Sequence, residues 1–181
     1  MNLLVVVASA TGRTRRMADA LADGAREAGA KVLLRTPEET QDADLLDADA
    51  IVLGSGVHMG GVASSMVALF ERAAPLWLAG RLRGKIGAAF VSAGEGERGG
   101  GELALLALLA WLAENGILLV PMHNREPGFR DAGCHWGPLA RTNPIGGEPG
   151  PTEAQLVACR AHGRQVAECA LRWVAGAGAP R

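Results

Sequence analysis

Leu3-Leu4-Val5-Val6-Val7 is an unbroken aliphatic run with no polar residue at alternate positions. A strand of that kind is buried on both faces. Ile51-Val52-Leu53 and Ile86 to Val91 have the same character, Lys31 to Arg35 reads as a shorter strand, and Ile117 to Val120 as a final one before Pro121. Between the strands the apolar period changes. From Arg13 to about Ala28, Met17, Leu21, Ala25 and Ala28 share one helical face, with Gly29 as its C-terminal stop. Met66, Leu69 and Phe70 mark a further helix that Pro75 is expected to end. Glu102 to Asn115 marks another, stopped by Gly116. The last helix opens on Thr152-Glu153-Ala154-Gln155, a capping-box pattern, and its expected buried stripe is Leu156, Cys159, Val166 and Trp173. Five strands alternating with helices imply a parallel sheet covered on both faces. The expected fold is a three-layer α/β/α sandwich with strand order 2-1-3-4-5 and a topological switch between the first and third strands.

The whole-chain properties narrow the function classes. The 181 residues suit a single domain, 49% of them hydrophobic and 20% charged. A net charge of −1 gives no pull toward nucleic acid or an anionic membrane. The opening residues, Met1 to Ala8, lack a basic n-region and read as a strand rather than a signal peptide. The longest apolar run, Leu103 to Ala113, falls short of the ~18 residues of a membrane span. That run is apolar nearly all round, which implies burial on more than one face, in the core or against another subunit. Cys134, Cys159 and Cys169 show neither disulfide nor metal-ligand spacing, so a cytoplasmic protein with reduced thiols is expected.

In open α/β sheets ligands sit outside the carboxyl ends of strands beside the switch point. Three of those ends carry small, polar, glycine-rich loops. The first, Ser9-Ala10-Thr11-Gly12-Arg13-Thr14, leads straight into a helix whose first amides carry partial positive charge. Its hydroxyls and amides suit a phosphate, and Gly12 permits close backbone approach. It has neither a Walker lysine nor an acidic cluster for magnesium, so a terminal monophosphate fits better than a triphosphate. A simple serine/threonine helix cap is the competing reading. The second loop, with Ser55, Gly56, Val57, His58, Met59 and Gly60, is long enough to wrap one edge of a planar ring. His58 is either an acid–base group there or plain polar surface. The third loop, Ser92, Ala93, Gly94, Glu95, Gly96 and Glu97, matches a dinucleotide glycine pattern only formally, because it follows the fourth strand. It is expected to lie along the ligand.

Together these loops resemble the flavodoxin-like superfamily, and more narrowly the WrbA-type NAD(P)H:quinone oxidoreductases. The likeness runs over nearly the whole chain. Ser9 to Thr14 matches the family's phosphate loop, Val57-His58-Met59 falls where the family contacts the isoalloxazine, and Ser92 to Glu97 falls where a loop closes over the flavin. Pro75-Leu76-Trp77-Leu78-Ala79-Gly80 looks like the family's Leu-Trp-x-x-Gly segment, which implies a place for Trp77 beside the substrate; a packing tryptophan is the other reading. Asn115 stands where the family has a flavin-proximal histidine, and His58-Met59 where it has Arg-Phe. The chain has no tyrosine to stack on the ring. Met122 to Gly150 is long and rich in glycine and proline, a candidate lid, with His135 and Trp136 as contact residues. The resemblance implies FMN as cofactor, NADH or NADPH as donor, a quinone as acceptor, no essential side-chain acid or base, and a homo-oligomer, dimer or tetramer. An electron-carrier flavodoxin is the alternative, against which the near-neutral charge counts. A receiver-type signalling domain would need clustered aspartates after the first strand, and Ser9 to Thr14 supplies none.

Overall fold

The computed structural model describes residues 1–94, 100–142 and 149–177. Four parallel strands form the body of the sheet: β1 (Asn2–Ala8), β2 (Lys31–Arg35), β3 (Ala50–Gly56) and β4 (Ile86–Ala93), in the order β2-β1-β3-β4. The register is continuous from Leu3↔Ala50 to Ala8↔Ser55, and from Ala50↔Ile86 to Gly56↔Ser92. The three aliphatic runs are buried along their whole length, as two-sided coverage requires.

The fifth place in the sheet is shared. Leu118–Leu119 (β5) pairs with Ile86 and Gly87 at the start of β4. Gly137–Arg141 (β7) pairs with Val91, Ser92 and Ala93 at its end. Gly133–Cys134 (β6) then adds antiparallel to β7 at the edge. The stretch expected to be a lid thus gives two short strands to the sheet, and it includes a short helix, α6 (Phe129–Ala132). Residues 143–148 of that stretch lie outside the described residues.

The helices α1 (Arg13–Glu27) and α7 (Glu153–Ala177) cover one face, and α3 (Ser64–Arg72), α4 (Ala74–Leu78) and α5 (Gly100–Glu114) the other; a short α2 (Asp42–Asp47) leads into β3. Pro75 does not end a helix; it sits in the first turn of α4, where its missing N–H costs nothing. Helix α2 was not anticipated. Its start is a box in which Gln41 and Asp44 cap each other, a weaker pattern than one led by serine or threonine. The expected box at α7 is present: Thr152 Oγ1 accepts from the Gln155 amide at 3.3 Å, and Gln155 Oε1 accepts from the Thr152 amide at 2.9 Å.

Helix α5 buries Ala104, Leu105, Leu108, Leu109 and Leu112 and leaves Leu103 and Leu106 exposed. Only one of its faces is covered within this chain, against the expectation of several. Trp173 also departs from the expected stripe. It is half exposed, because α7 has by then run past the end of the sheet, and its indole N–H donates to Gly84 O at 2.8 Å. No helix among the described residues is long and apolar enough to cross a membrane.

Two glycines let α1 and α7 touch backbone to backbone. A Cβ on Gly163 would lie 2.0 Å from Leu21 O, and one on Gly24 1.9 Å from Arg160 O. Carbonyls of packed helices cannot rotate aside as side chains do. Gly163→Ala should therefore lose the ~1 kcal/mol that alanine ordinarily brings to a helix and destabilise the fold by about 2 kcal/mol through overpacking. A urea-unfolding midpoint unchanged or raised would contradict this.

One residue earlier in α7, His162 is fully buried toward Gly137 of β7, with Nδ1 3.3 Å from Gln165 Oε1 and no partner for Nε2 among the described residues. Burial pushes its pKa down from 6.5 to about 4, against a small opposing effect of Gln165. The unfolded chain then binds more protons than the folded one between these two values. Stability present above pH 6.5 is lost as pH falls toward 4, by on the order of 3 kcal/mol. Chemical denaturation at pH 7.5 and pH 5 should show this loss in the parent protein and a smaller one in His162→Leu.

Candidate functional site

The register places Ala8, Ser55 and Val91 side by side at the carboxyl ends of β1, β3 and β4, with Gly56 and Ser92 paired one residue further on, so the three glycine-rich loops leave the sheet at one place. Side chains from two of them meet directly. Thr14 Oγ1 and Ser92 Oγ form a hydrogen bond of 2.7 Å, both residues being buried. A Cβ on Gly56 would sit 3.5 Å from Thr14 Oγ1, 3.5 Å from His58 Nε2 and 3.8 Å from Ser92 Oγ, so all three loops contribute to one polar cluster.

The first loop is open. Gly12 is the N-cap of α1 in left-handed geometry, φ 81°, and nothing lies within 4 Å of the place its Cβ would occupy. Ser9 Oγ accepts from the Arg15 amide at 3.1 Å, the part of a helix cap. The amides of Arg13 and Thr14, also in the first turn, have no partner among the described residues. Ala10, Thr11 and Gly12 are exposed. Ser9 thus caps the third amide of the turn and leaves the first two without a partner among the described residues. An anion of two charges suits such a turn, where unpaired N–H groups and the helix dipole add.

The second loop is a tight turn. His58 and Gly61 exchange backbone hydrogen bonds of 2.9 Å in each direction, with Met59 at φ 50° and Gly60 at φ 83° between them. Two positive φ values in succession make a type I′ turn, which glycine favours. Met59 projects fully into solvent at its tip. Ser55 does not face the opening. Its buried hydroxyl donates to Gly56 O at 2.7 Å and accepts from the Ala63 amide at 2.9 Å, which pins the base of the loop. Val57 N donates to Ser92 O at 2.8 Å, tying the second loop to the third.

Ala93 is buried at the end of β4 and Gly94 follows it; Glu95, Gly96 and Glu97 lie outside the described residues. Gly100, which the sequence places at the end of the third loop, instead opens α5, against the second loop. A Cβ there would lie 3.7 Å from Val57 Cγ1 and 3.8 Å from Gly60 Cα. The run Gly99-Gly100-Gly101 was its only sequence signal.

The remaining expected residues are elsewhere in this chain. Trp77 and Asn115 are neighbours, with the Trp77 indole N–H donating to Glu114 O at 3.2 Å, but they sit at the amino ends of the strands. Helices α3 and α5 start at the loop rim and run away from it, so residues after their last turns emerge at the opposite end. Asn115 is buried; Nδ2 donates to Trp111 O at 2.9 Å, and Oδ1 has no partner among the described residues. His135 lies in the turn before β7, its Nδ1 3.1 Å from Met122 O and its ring against Phe129 at 5.2 Å. Three residues of β7, about 10 Å of strand, separate the end of that turn at Gly137 from Ala140, which with Arg141 pairs with Ser92 and Ala93. Among the described residues no group of His, Cys, Asp and Glu is placed to hold a metal ion.

Comparison with known proteins bears on this arrangement. Residues 4–85 match the family model described as Flavodoxin domain. The chain is 33% identical to an NAD(P)H dehydrogenase (quinone) of Nitrobacter winogradskyi, covering 94% of this chain and 98% of the relative. It belongs to that family. A second relative of the same name, from Methylocella silvestris, is 34% identical over 93% of this chain and 96% of its own. Among solved structures, a flavodoxin, WrbA-like protein from Agrobacterium tumefaciens is similar with a TM-score of 0.76 and 25% identity, covering 94% of this chain and 98% of that one. The family's flavodoxin-like fold is the one expected from strand alternation.

Replacing Thr14 tests the link between the loops. Thr14→Val keeps the shape and leaves the Ser92 hydroxyl buried without its partner, at a cost of about 1–3 kcal/mol. Thr14→Ser should retain most of that stability. Equal urea midpoints for the parent and the valine variant, measured without ligand, would show that the pair carries no such weight.

Proposed function

We propose that this chain binds FMN at the three-loop rim and carries electrons from NADH or NADPH through the flavin to a quinone. The observation that supports it most is the open, amide-lined turn at Gly12 beside a polar cluster shared by Thr14, Gly56, His58 and Ser92. A flavin mononucleotide needs one dianion site and, alongside it, a place for a planar heterocycle. The residues present fit both needs.

In this reading the amides of Thr11, Gly12, Arg13 and Thr14, with the hydroxyls of Ser9 and Thr11, hold the phosphate. The backbone of Gly56, Val57, His58, Met59 and Gly60 lies along one edge of the ring, and that of Ser92, Ala93 and Gly94 along the other. Ser55 acts one step back, by holding the turn that presents Gly56. The bound flavin supplies hydride and electron chemistry, while the protein positions and tunes it. No side chain is assigned as acid or base. Trp77 and Asn115 face away from their own rim, so they reach a flavin only across a subunit boundary, in a dimer or tetramer. The exposed apolar residues Trp77, Leu78, Leu103 and Leu106 supply surface for such a contact. His135 belongs to the substrate side only under the same condition.

Purified protein incubated with FMN should turn yellow and quench flavin fluorescence. NADH or NADPH should then bleach it without oxygen, and a quinone should restore the colour. Failure to retain FMN would refute the cofactor assignment. Retention of FMN without bleaching by either nucleotide would refute the enzymatic one.

A further inference from the structure

His58 faces two ways. Its Nε2 borders the cluster of Thr14, Gly56 and Ser92, and its ring also lines a separate open groove of 520 Å³. That volume falls in the ~300–1,000 Å³ range of small-molecule sites. The groove continues from the turn along the outward face of α3, where Val67, Ala68 and Glu71 follow Ser64 at helical spacing, and Val62 and Ala63 complete its wall. Val67 is 43% exposed there, opposite the buried Met66 and Leu69.

The chemistry of this wall selects among occupants. It is aliphatic over most of its length, and among the described residues neither lysine nor arginine lines it. The far end carries the carboxylate of Glu71. A dinucleotide would bring a pyrophosphate here with no cation to meet it and a like charge nearby. A neutral hydrocarbon chain meets no such penalty and removes exposed valine and alanine surface from water. The groove starts where the ring-facing turn ends, so a molecule reacting at the rim can lay an extension into it.

We infer that this groove receives the isoprenoid side chain of a lipophilic quinone, while the quinone head group reacts at the rim beyond His58. The inference rests on the quinone-reductase reading above and adds to it the class of acceptor. Val67 and Ala68 are then specificity-determining residues, with no part in flavin binding or in the reaction itself.

The test uses the FMN-loaded protein with two probes, a ubiquinone bearing two isoprene units and its tail-less counterpart with the same head group. The parent should prefer the tailed probe in kcat/KM on the order of tenfold. Val67→Asp and Ala68→Trp should each bring that ratio close to unity, one by placing a charge in the groove and the other by filling it. FMN affinity, anaerobic bleaching by the nucleotide and turnover of the tail-less probe should stay as in the parent. Binding of the tailed probe to the oxidised holoprotein, read from the flavin absorbance, should weaken in parallel. A parent that turns over the tail-less probe without preferring the tailed one overturns the groove assignment alone. So does a preference that survives both substitutions, including the case where they change the oligomeric state and so mark this face as a contact between copies. A parent that reduces neither quinone overturns the quinone-reductase reading and this inference together.

Discussion

Parallel pairing of β1 with β3, and of β3 with β4, is the constraint from which the site follows. Because these strands run the same way in unbroken register, the residues after Ala8, Ser55 and Val91 leave the sheet at one height. Hydrogen bonding along the ladders thus delivers three loops distant in sequence to one patch. The Thr14–Ser92 hydroxyl pair and the Val57–Ser92 backbone bond then join them. In an antiparallel arrangement the same loops would alternate between the two ends of the sheet, and no such patch would exist.

The second face of the sheet depends on closeness rather than on shape. α1 and α7 approach until Gly24 and Gly163 meet the carbonyls of Arg160 and Leu21, and the helix that begins at the phosphate-type turn is thereby clamped from behind. The ion pairs of Glu27 with Arg160 and Arg164 lie at the surface of the same crossing, where solvent leaves them a small share of the stability. The position of the α1 N-terminus is therefore set by backbone contact in the interior. A rigid support of that kind keeps unpaired amides aimed at a fixed point.

Much of this was legible in the residues. Uninterrupted aliphatic runs followed by small polar residues identify buried parallel strands and their carboxyl ends, and the local step from Gly12 into an amphipathic helix needs no long-range information. What sequence reasoning missed lies where tertiary context decides. Met122 to Gly150 reads as a glycine- and proline-rich lid, yet Pro138 sits near the start of β7, one residue before the pairing with β4 begins at Leu139. Trp77 and Asn115 were assigned by likeness of motif. Helix direction alone puts the residues ending a crossover helix at the opposite end of the sheet, and the structure places both there. The exposed leucines of α5 show the converse limit: composition revealed an apolar helix but not which face this chain would cover.

The divided fifth place has a consequence for the order of events during synthesis. β4 carries Ser92 to the rim, but Leu139, Ala140 and Arg141, which pair with Val91, Ser92 and Ala93 at its edge, leave the ribosome nearly fifty residues later. The α7 clamp behind the first helix emerges later still. A growing chain that already displays the Gly12 turn therefore holds an unfinished rim, whose last walls come from the final third of the polypeptide.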